Sequence, residues 1–395
     1  MAEHDCDYLI VGAGLAGAAA IEGIRERDRD GSITMIGAEN HLPYHRPPLS
    51  KKLWFGKTEV KDLFVHDQAF YDQNGVSFFR GRRVVSLDAT CAARDSRGQS
   101  YRFKKLLLAT GGAPQALPIP GGKTGGVCYF RFLDDYQRIR RQAEEGRSAV
   151  IIGGGFIGSE MAAALRINKL NVTMIYPATH LCDRVLPEDL GLAMEKNYQD
   201  RGIRILKGQT PASFERKGSA FVVRTSSGAQ IESDLLIVGV GIKPAVELAE
   251  GAGLSTDNGI IVNEYLQSSH PSIYAAGDNA RFPYPALGQQ ARVEHWDNAL
   301  NQGKHAGRNM AGAHEAYTYM PYFFSDLFEF GYEAVGEVSS KMEIVADWQK
   351  QYETGVIYYL RNNKIRGVMM CNVWDKVDAA RQLILRGAGA AERLA

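Results

Sequence analysis

Apolar runs along the chain lead into glycine-rich turns and amphipathic stretches, and this pattern places most of the elements. Residues 7–17, DYLIVGAGLAG, carry a short apolar run into a glycine turn. The Ala-rich stretch AAAIEGIRERDRD follows and reads as a helix, and SITMIGAE then reads as a second strand. The same order returns at residues 147–177, RSAVIIGGGFIGSEMAAALRINKLNVTMIYP. Three further segments run from an apolar strand into a glycine-bearing crossover: YRFKKLLLATGGAPQALPIPG, DLLIVGVGIKP and SIYAAGDNARF. Near the C-terminus GVIYYL and KIRGVMM flank an Asn-Asn turn, which is a hairpin signal. A helix is expected from Val377 to Leu385.

The two glycine turns carry the first chemistry. Gly12-x-Gly14-x-x-Gly17 and Gly153-x-Gly155-x-x-Gly158 each sit between an apolar strand and an Ala-rich helix. In that context the first glycine permits a tight turn, the second admits a pyrophosphate to the backbone, and the third lets helix and strand pack closely. The helix N-terminus then offers amide donors and a positive dipole end to the phosphates. Two such units imply two dinucleotides. In the first, Leu15 and Ala16 complete the turn and Glu39 is placed to accept from ribose hydroxyls. In the second, Gly154, Phe156 and Ile157 complete the turn, but its second strand ends in Tyr176, with His180 and Arg184 following. A carboxylate there favours the free 2′-hydroxyl of NAD, whereas an arginine accommodates the 2′-phosphate of NADP, so this unit leaves the choice of coenzyme open.

Composition narrows the class. The chain has 395 residues, enough for two or three domains, with 45% apolar and 23% charged residues. Its net charge of +1 gives no basic excess for a nucleic-acid partner. No continuous apolar stretch is long enough for a membrane span, and the acidic MAEHDCD start is not that of a signal peptide, so a cytoplasmic location is expected. Cys6, Cys91, Cys128, Cys182 and Cys371 are widely spaced, and no pair has the spacing of a redox-active disulfide or a metal site. Residues 42–54, LPYHRPPLSKKLW, form a basic segment stiffened by three prolines, unsuited to a helix interior or sheet centre.

Taken together and in this order, the motifs resemble the two-dinucleotide flavoprotein reductases that bind FAD and NAD(P)H. RPPLSKKLW resembles the RPPLSK segment of oxygenase-coupled ferredoxin reductases, rubredoxin reductases and apoptosis-inducing factor. The resemblance implies an α/β fold of two doubly wound Rossmann-type domains plus a C-terminal α+β domain, a glutathione-reductase-like architecture. It implies an FAD domain over 1–120 and 246–318, an NAD(P)H domain over 121–245, and a C-terminal interface domain over 319–395. At the FAD it implies Arg46, Lys51, Val84, Arg131, Asp278, Glu294, His295, Trp296 and Phe324, beside the first glycine turn and Glu39. At the NAD(P)H it implies Arg184, Gly241 and Glu294, beside the second glycine turn and Glu160. Lys51 is implied beside the flavin N5, paired with Glu160, and these two are the expected catalytic residues.

The implied activity is transfer of a hydride from NAD(P)H to FAD, followed by single-electron delivery to a ferredoxin or rubredoxin. The C-terminal segments PYFFSDLFEFGYEAVGEV and GVIYYLRNNKIRGVMMCNVWDKVDAARQLI resemble the last domain of apoptosis-inducing factor. That gives a second reading, a redox-responsive flavoprotein with a long-lived NADH complex and redox-linked dimerisation. A third is a reductase of a small acceptor, of the quinone or monodehydroascorbate type. A monomer or a redox-linked homodimer is expected, with no nucleic acid, membrane or metal partner.

Overall fold

A computed structural model describes residues 3–88 and 91–394, so the first two residues of the acidic start lie outside it. The chain divides into two compact units. One comprises Met1–His45, Val60–Ala113 and Lys243–Tyr322, and the other Arg46–Glu59, Pro114–Ile242 and Phe323–Ala395. The short Pro-rich stretch from Arg46 to Glu59 is therefore part of the second unit, although the chain on either side of it belongs to the first.

The first unit is built on a parallel sheet whose strands run, edge to edge, Val76–Phe79, Ile33–Ile36, Glu3–Val11, Ser100–Leu108 and Ile273–Ala275. Two antiparallel strands, Ala92–Asp95 and Val84–Leu87, extend it from the N-terminal half of Ser100–Leu108. The C-terminal halves of the central strands, Tyr8–Val11 and Leu106–Leu108, are apolar and buried, as segments covered on both faces must be. Leu9, Ile10, Leu106 and Leu107 are fully buried. The helices Leu15–Arg25 and Trp296–Met310 pack against each other at small residues. A Cβ on Gly303 would stand 2.2 Å from the Ala16 carbonyl, and one on Gly307 2.2 Å from that of Ala20. Gly303 and Gly307 are thus a packing requirement of this helix pair, because any side chain there would meet the backbone of the first helix.

The second unit repeats the design. Arg204–Lys207, Asn171–Tyr176, Ser148–Ile152, Leu235–Val238 and Cys128–Tyr129 form a parallel five-stranded sheet in that order. An antiparallel meander, Pro211–Lys217, Ala220–Thr225 and Gln230–Ser233, closes one face over a core that includes Val150, Ile175, Phe221 and Val223. The rest of this unit holds an antiparallel sheet ordered Tyr322–Leu327, Phe330–Gly336, Lys364–Cys371, Thr354–Arg361, Glu343–Lys350. Asn362 and Asn363 both take positive φ, as the two central residues of a tight hairpin turn require. The helix Val377–Leu385 lies against Phe330–Gly336 and Lys364–Cys371. The fold is α/β, with two Rossmann-type nucleotide domains and a C-terminal α+β domain. Among the described residues no helix is long and apolar enough to cross a membrane.

Candidate active site and nucleotide cradles

Both glycine turns are shaped by close backbone contacts. Gly12 has φ +115° and Gly153 φ +122°, and a side chain on either would meet the carbonyl of the neighbouring crossover, Ala109 in one case and Gly239 in the other. A Cβ on Gly17 or Gly158 would stand 2.2 Å or 2.1 Å from the carbonyl of the first glycine of its own turn. The middle glycines differ. Gly14 and Gly155 have nothing within 4 Å of where a Cβ would be, and each begins its helix with no side-chain cap. The helix Leu15–Arg25 starts with Leu15 and Ala16, and Phe156–Ile167 starts with Phe156 and Ile157. Each turn thus offers open space beside uncapped amide donors, the fit a pyrophosphate needs.

The remaining residues of the first unit are placed as follows. Glu39 lies three residues past the strand Ile33–Ile36 and accepts from the Tyr44 hydroxyl at 2.6 Å. Val84 is buried at the start of an antiparallel strand. Asp278 follows the strand Ile273–Ala275, and its carbonyl accepts from Arg292 at 2.9 Å. Arg292 also pairs with Glu294 at 2.6 Å. His295 precedes the helix Trp296–Met310. Burial pushes its imidazole down to about 4, against the opposing pull of the Asp278 carboxylate. The Trp296 indole N–H donates to His45 Nδ1 at 2.8 Å. That bond needs His45 Nδ1 unprotonated, in keeping with the burial that lowers the His45 imidazole below its usual range.

In the second unit one buried group dominates. Lys51 follows the 3₁₀ turn Pro47–Ser50, and its Nζ stands 3.2 Å from Glu160 Oε1, with both side chains about 5% exposed. The same ammonium donates to the Phe324 carbonyl at 3.2 Å and lies 4.3 Å from the centre of the Phe324 ring. Glu160 Oε2 accepts from the Ser50 hydroxyl at 2.5 Å, and Oε1 accepts from the Ser325 hydroxyl at 2.6 Å. Arg46 donates to the Arg131 carbonyl at 3.1 Å and covers the Phe132 ring. Trp54 anchors the far end of the turn, donating to the Leu49 carbonyl, while its own carbonyl accepts from Asn168 at 3.0 Å. The Pro-rich stretch is thus pinned at both ends and at its centre.

On the coenzyme side of this unit the second strand ends in a tyrosine that points inward. Tyr176 is buried, its ring lies over Gly154, and its hydroxyl donates to Glu195 at 2.8 Å. Glu195 is also paired with Lys207 at 2.7 Å. His180 is buried with Nδ1 at its neighbour's carbonyl, whereas Arg184 is exposed. Gly241, with φ +101°, turns the crossover after Leu235–Val238. Of the residues implied at NAD(P)H, Glu294 alone belongs to the first unit. All five cysteines are free. Burial pushes the thiols of Cys128, Cys182 and Cys371 up to about 12 and that of Cys6 to about 11, so these four are not thiolates near neutral pH.

The segments that hold Ser50, His45 and Tyr44, and the aromatic-Ser-Asp segment that holds Ser325, stand out in the sequence, but only Lys51 and Glu160 among this group take a role from it. Ser50 adjoins Lys51, and Ser325 follows two aromatics and precedes an aspartate. Those were the only signals in the chain. A serine's partner lies far away in sequence and leaves no periodicity to read.

Residues 6–303 match the family described as pyridine nucleotide-disulphide oxidoreductase. Residues 306–351 and 346–386 match the C-terminal domain of mitochondrion-associated apoptosis-inducing factor. The chain is 34% identical over 386 residues to the ferredoxin–NAD(+) reductase component of the anthranilate 1,2-dioxygenase system of Burkholderia cepacia, covering 96% of this chain and 94% of that protein. It is 31% identical over 390 residues to putidaredoxin reductase of Pseudomonas putida, covering 96% and 91%. A solved covalent putidaredoxin reductase–putidaredoxin complex superposes with a TM-score of 0.91 at 31% identity, over 97% of this chain and 93% of that one.

Two outcomes are expected. Replacing one member of the buried pair, by Lys51→Met or Glu160→Leu, leaves an uncompensated buried charge and lowers stability by ~3–5 kcal/mol. The double variant recovers most of that loss in chemical denaturation. The second concerns pH. The folded His295 imidazole is depressed from 6.5 to about 4, so the unfolded chain binds the extra proton first as pH falls. The stabilisation is present above about 6.5 and lost as pH falls towards about 4, and His295→Gln flattens this part of the stability–pH curve.

Proposed function

The chain belongs to the pyridine nucleotide-disulphide oxidoreductase family, and from that premise we propose that it is an FAD-dependent reductase oxidising NADH and passing electrons singly to a small redox protein such as a [2Fe–2S] ferredoxin or a rubredoxin. The observation that carries this reading is the end-to-end likeness to two reductases of that kind, one from a dioxygenase system and one acting with putidaredoxin. The buried, thiolate-free surroundings of Lys51 agree with it, because dithiol exchange needs a cysteine pair.

When bound, the flavin supplies the exchange between a two-electron donor and a one-electron acceptor. The protein's part is binding, orientation and charge. Gly12, Gly14 and Gly17, with Leu15 and Ala16, would hold the FAD pyrophosphate, and Glu39 would accept from ribose hydroxyls. Gly153 to Gly158 would hold the pyrophosphate of NADH in the same way. Lys51 would supply a fixed cation to the flavin, and Glu160 keeps that ammonium in position. The resemblance assigns to the flavin Asp278, Glu294, His295 and Trp296 of the first unit and, separately, Arg46, Arg131 and Phe324 of the second, and to the coenzyme Arg184 and Gly241. Five unpaired cysteines suit a reducing compartment, and we place the enzyme in the cytoplasm.

The test is NADH-driven reduction of a [2Fe–2S] ferredoxin, with ferricyanide as a small one-electron acceptor for comparison. The holoenzyme is expected to reduce both. Lys51→Ala is expected to keep its FAD and lose 10²-fold or more in rate, the usual range for removing one preorganised charge-stabilising group. Reduction of ferricyanide alone would favour the small-acceptor reading, and no reduction of either would overturn the proposal.

A further inference from the structure

The Glu160 carboxylate is fixed by more than its lysine. Oε1 accepts from Ser325 at 2.6 Å and faces Lys51 Nζ at 3.2 Å, while Oε2 accepts from Ser50 at 2.5 Å. Glu160, Lys51, Ser50 and Ser325 are all buried, at 5%, 3%, 3% and 1% exposure. The other ionisable groups facing the carboxylate are Cys182, Tyr198 and Tyr332. All three are held in their neutral forms by burial, and none brings a positive charge. Lys51 is therefore the one cation among them, and the position of its ammonium depends on how firmly the carboxylate is held.

The two serines come from distant parts of the chain. Ser50 ends the Pro-rich 3₁₀ turn, and Ser325 lies in the strand Tyr322–Leu327 next to the Phe324 carbonyl that also receives the Lys51 ammonium. One hydroxyl rests on each carboxylate oxygen, which fixes the plane of the carboxylate and hence the direction of the Lys51 bond. Hydrogen bonds to a charged acceptor are the strong ones, and removing a donor leaves a buried oxygen short of a partner.

We propose that Ser325 and Ser50 are positioning residues for the proposed reductase chemistry: their hydroxyls hold the Glu160 carboxylate in one orientation and so keep the Lys51 ammonium in place. The C-terminal α+β domain then has a part in the reaction through one hydroxyl, beyond any part in meeting an acceptor. The inference rests on the proposed reductase function.

The experiment compares wild type with Ser325→Ala, Ser325→Thr and Ser50→Ala, all as FAD-loaded protein. The flavin midpoint potential and the rate of flavin reduction by NADH are measured. Ser325→Ala, which frees the carboxylate and with it the Lys51 ammonium, is expected to have a lower flavin potential and a 10- to 100-fold loss in rate, the size expected for one hydrogen bond to a charged group. Ser325→Thr, which keeps the hydroxyl, is expected to restore both, and Ser50→Ala to reproduce the loss if Ser325→Ala proves unstable. Wild-type potential and rate in both alanine variants would overturn the proposal. Failure of the wild type itself to accept electrons from NADH would overturn the reductase reading instead.

Discussion

One buried ion pair, Lys51 with Glu160, ties together three distant segments of the second unit. Two charges at about 5% exposure carry a desolvation penalty that attraction offsets only with good geometry and further hydrogen bonds. Ser50, Ser325 and the Phe324 carbonyl provide those bonds. Meeting that requirement draws a Pro-rich turn, a fingerprint helix and a C-terminal strand into a single cluster. It accounts for a feature that is otherwise odd, the membership of Arg46–Glu59 in a unit whose sheets are built from distant sequence. The prolines fix the turn before the pair forms, so little chain entropy is lost in holding the lysine.

The second constraint acts twice. Each nucleotide unit places one glycine against a crossover carbonyl, one against open space and one against its own turn. Only the open glycine faces room for a ligand, and the other two create that room by letting backbone approach backbone. The repeat then diverges at the end of its second strand. The first unit keeps Glu39 in a half-buried position. The second buries Tyr176 over Gly154 and ties it to Glu195, whose carboxylate is also engaged with Lys207. The glycine geometry is thus common to the two units, and they differ at the ends of their second strands.

Much of this was legible in the sequence because it is local. Strand, glycine turn, helix and strand follow one another within about thirty residues, and periodicity reads them directly. The C-terminal hairpin and helix were legible for the same reason: the Asn362-Asn363 turn between two apolar runs, and the Val377–Leu385 amphipathic stretch. The partners of the site residues were not. Ser325 meets Glu160 across 165 positions and Trp296 meets His45 across 251. No spacing rule connects such residues, and serine and histidine are common enough that neither stands out alone. Tyr176 shows the converse: its place at the strand end was plain, while its inward direction depended on Glu195, from a helix the pattern did not link to it.

Anaerobic stopped-flow mixing of the FAD-loaded protein with NADH, and separately with NADPH, tests the proposed reductase function most directly through the visible absorbance of the flavin. The account predicts fast, complete bleaching with NADH and prompt recovery of the absorbance on mixing with an oxidised ferredoxin. Slow bleaching with a persistent long-wavelength band and a change in oligomeric size would contradict it, and would identify the protein as a redox-responsive binding protein.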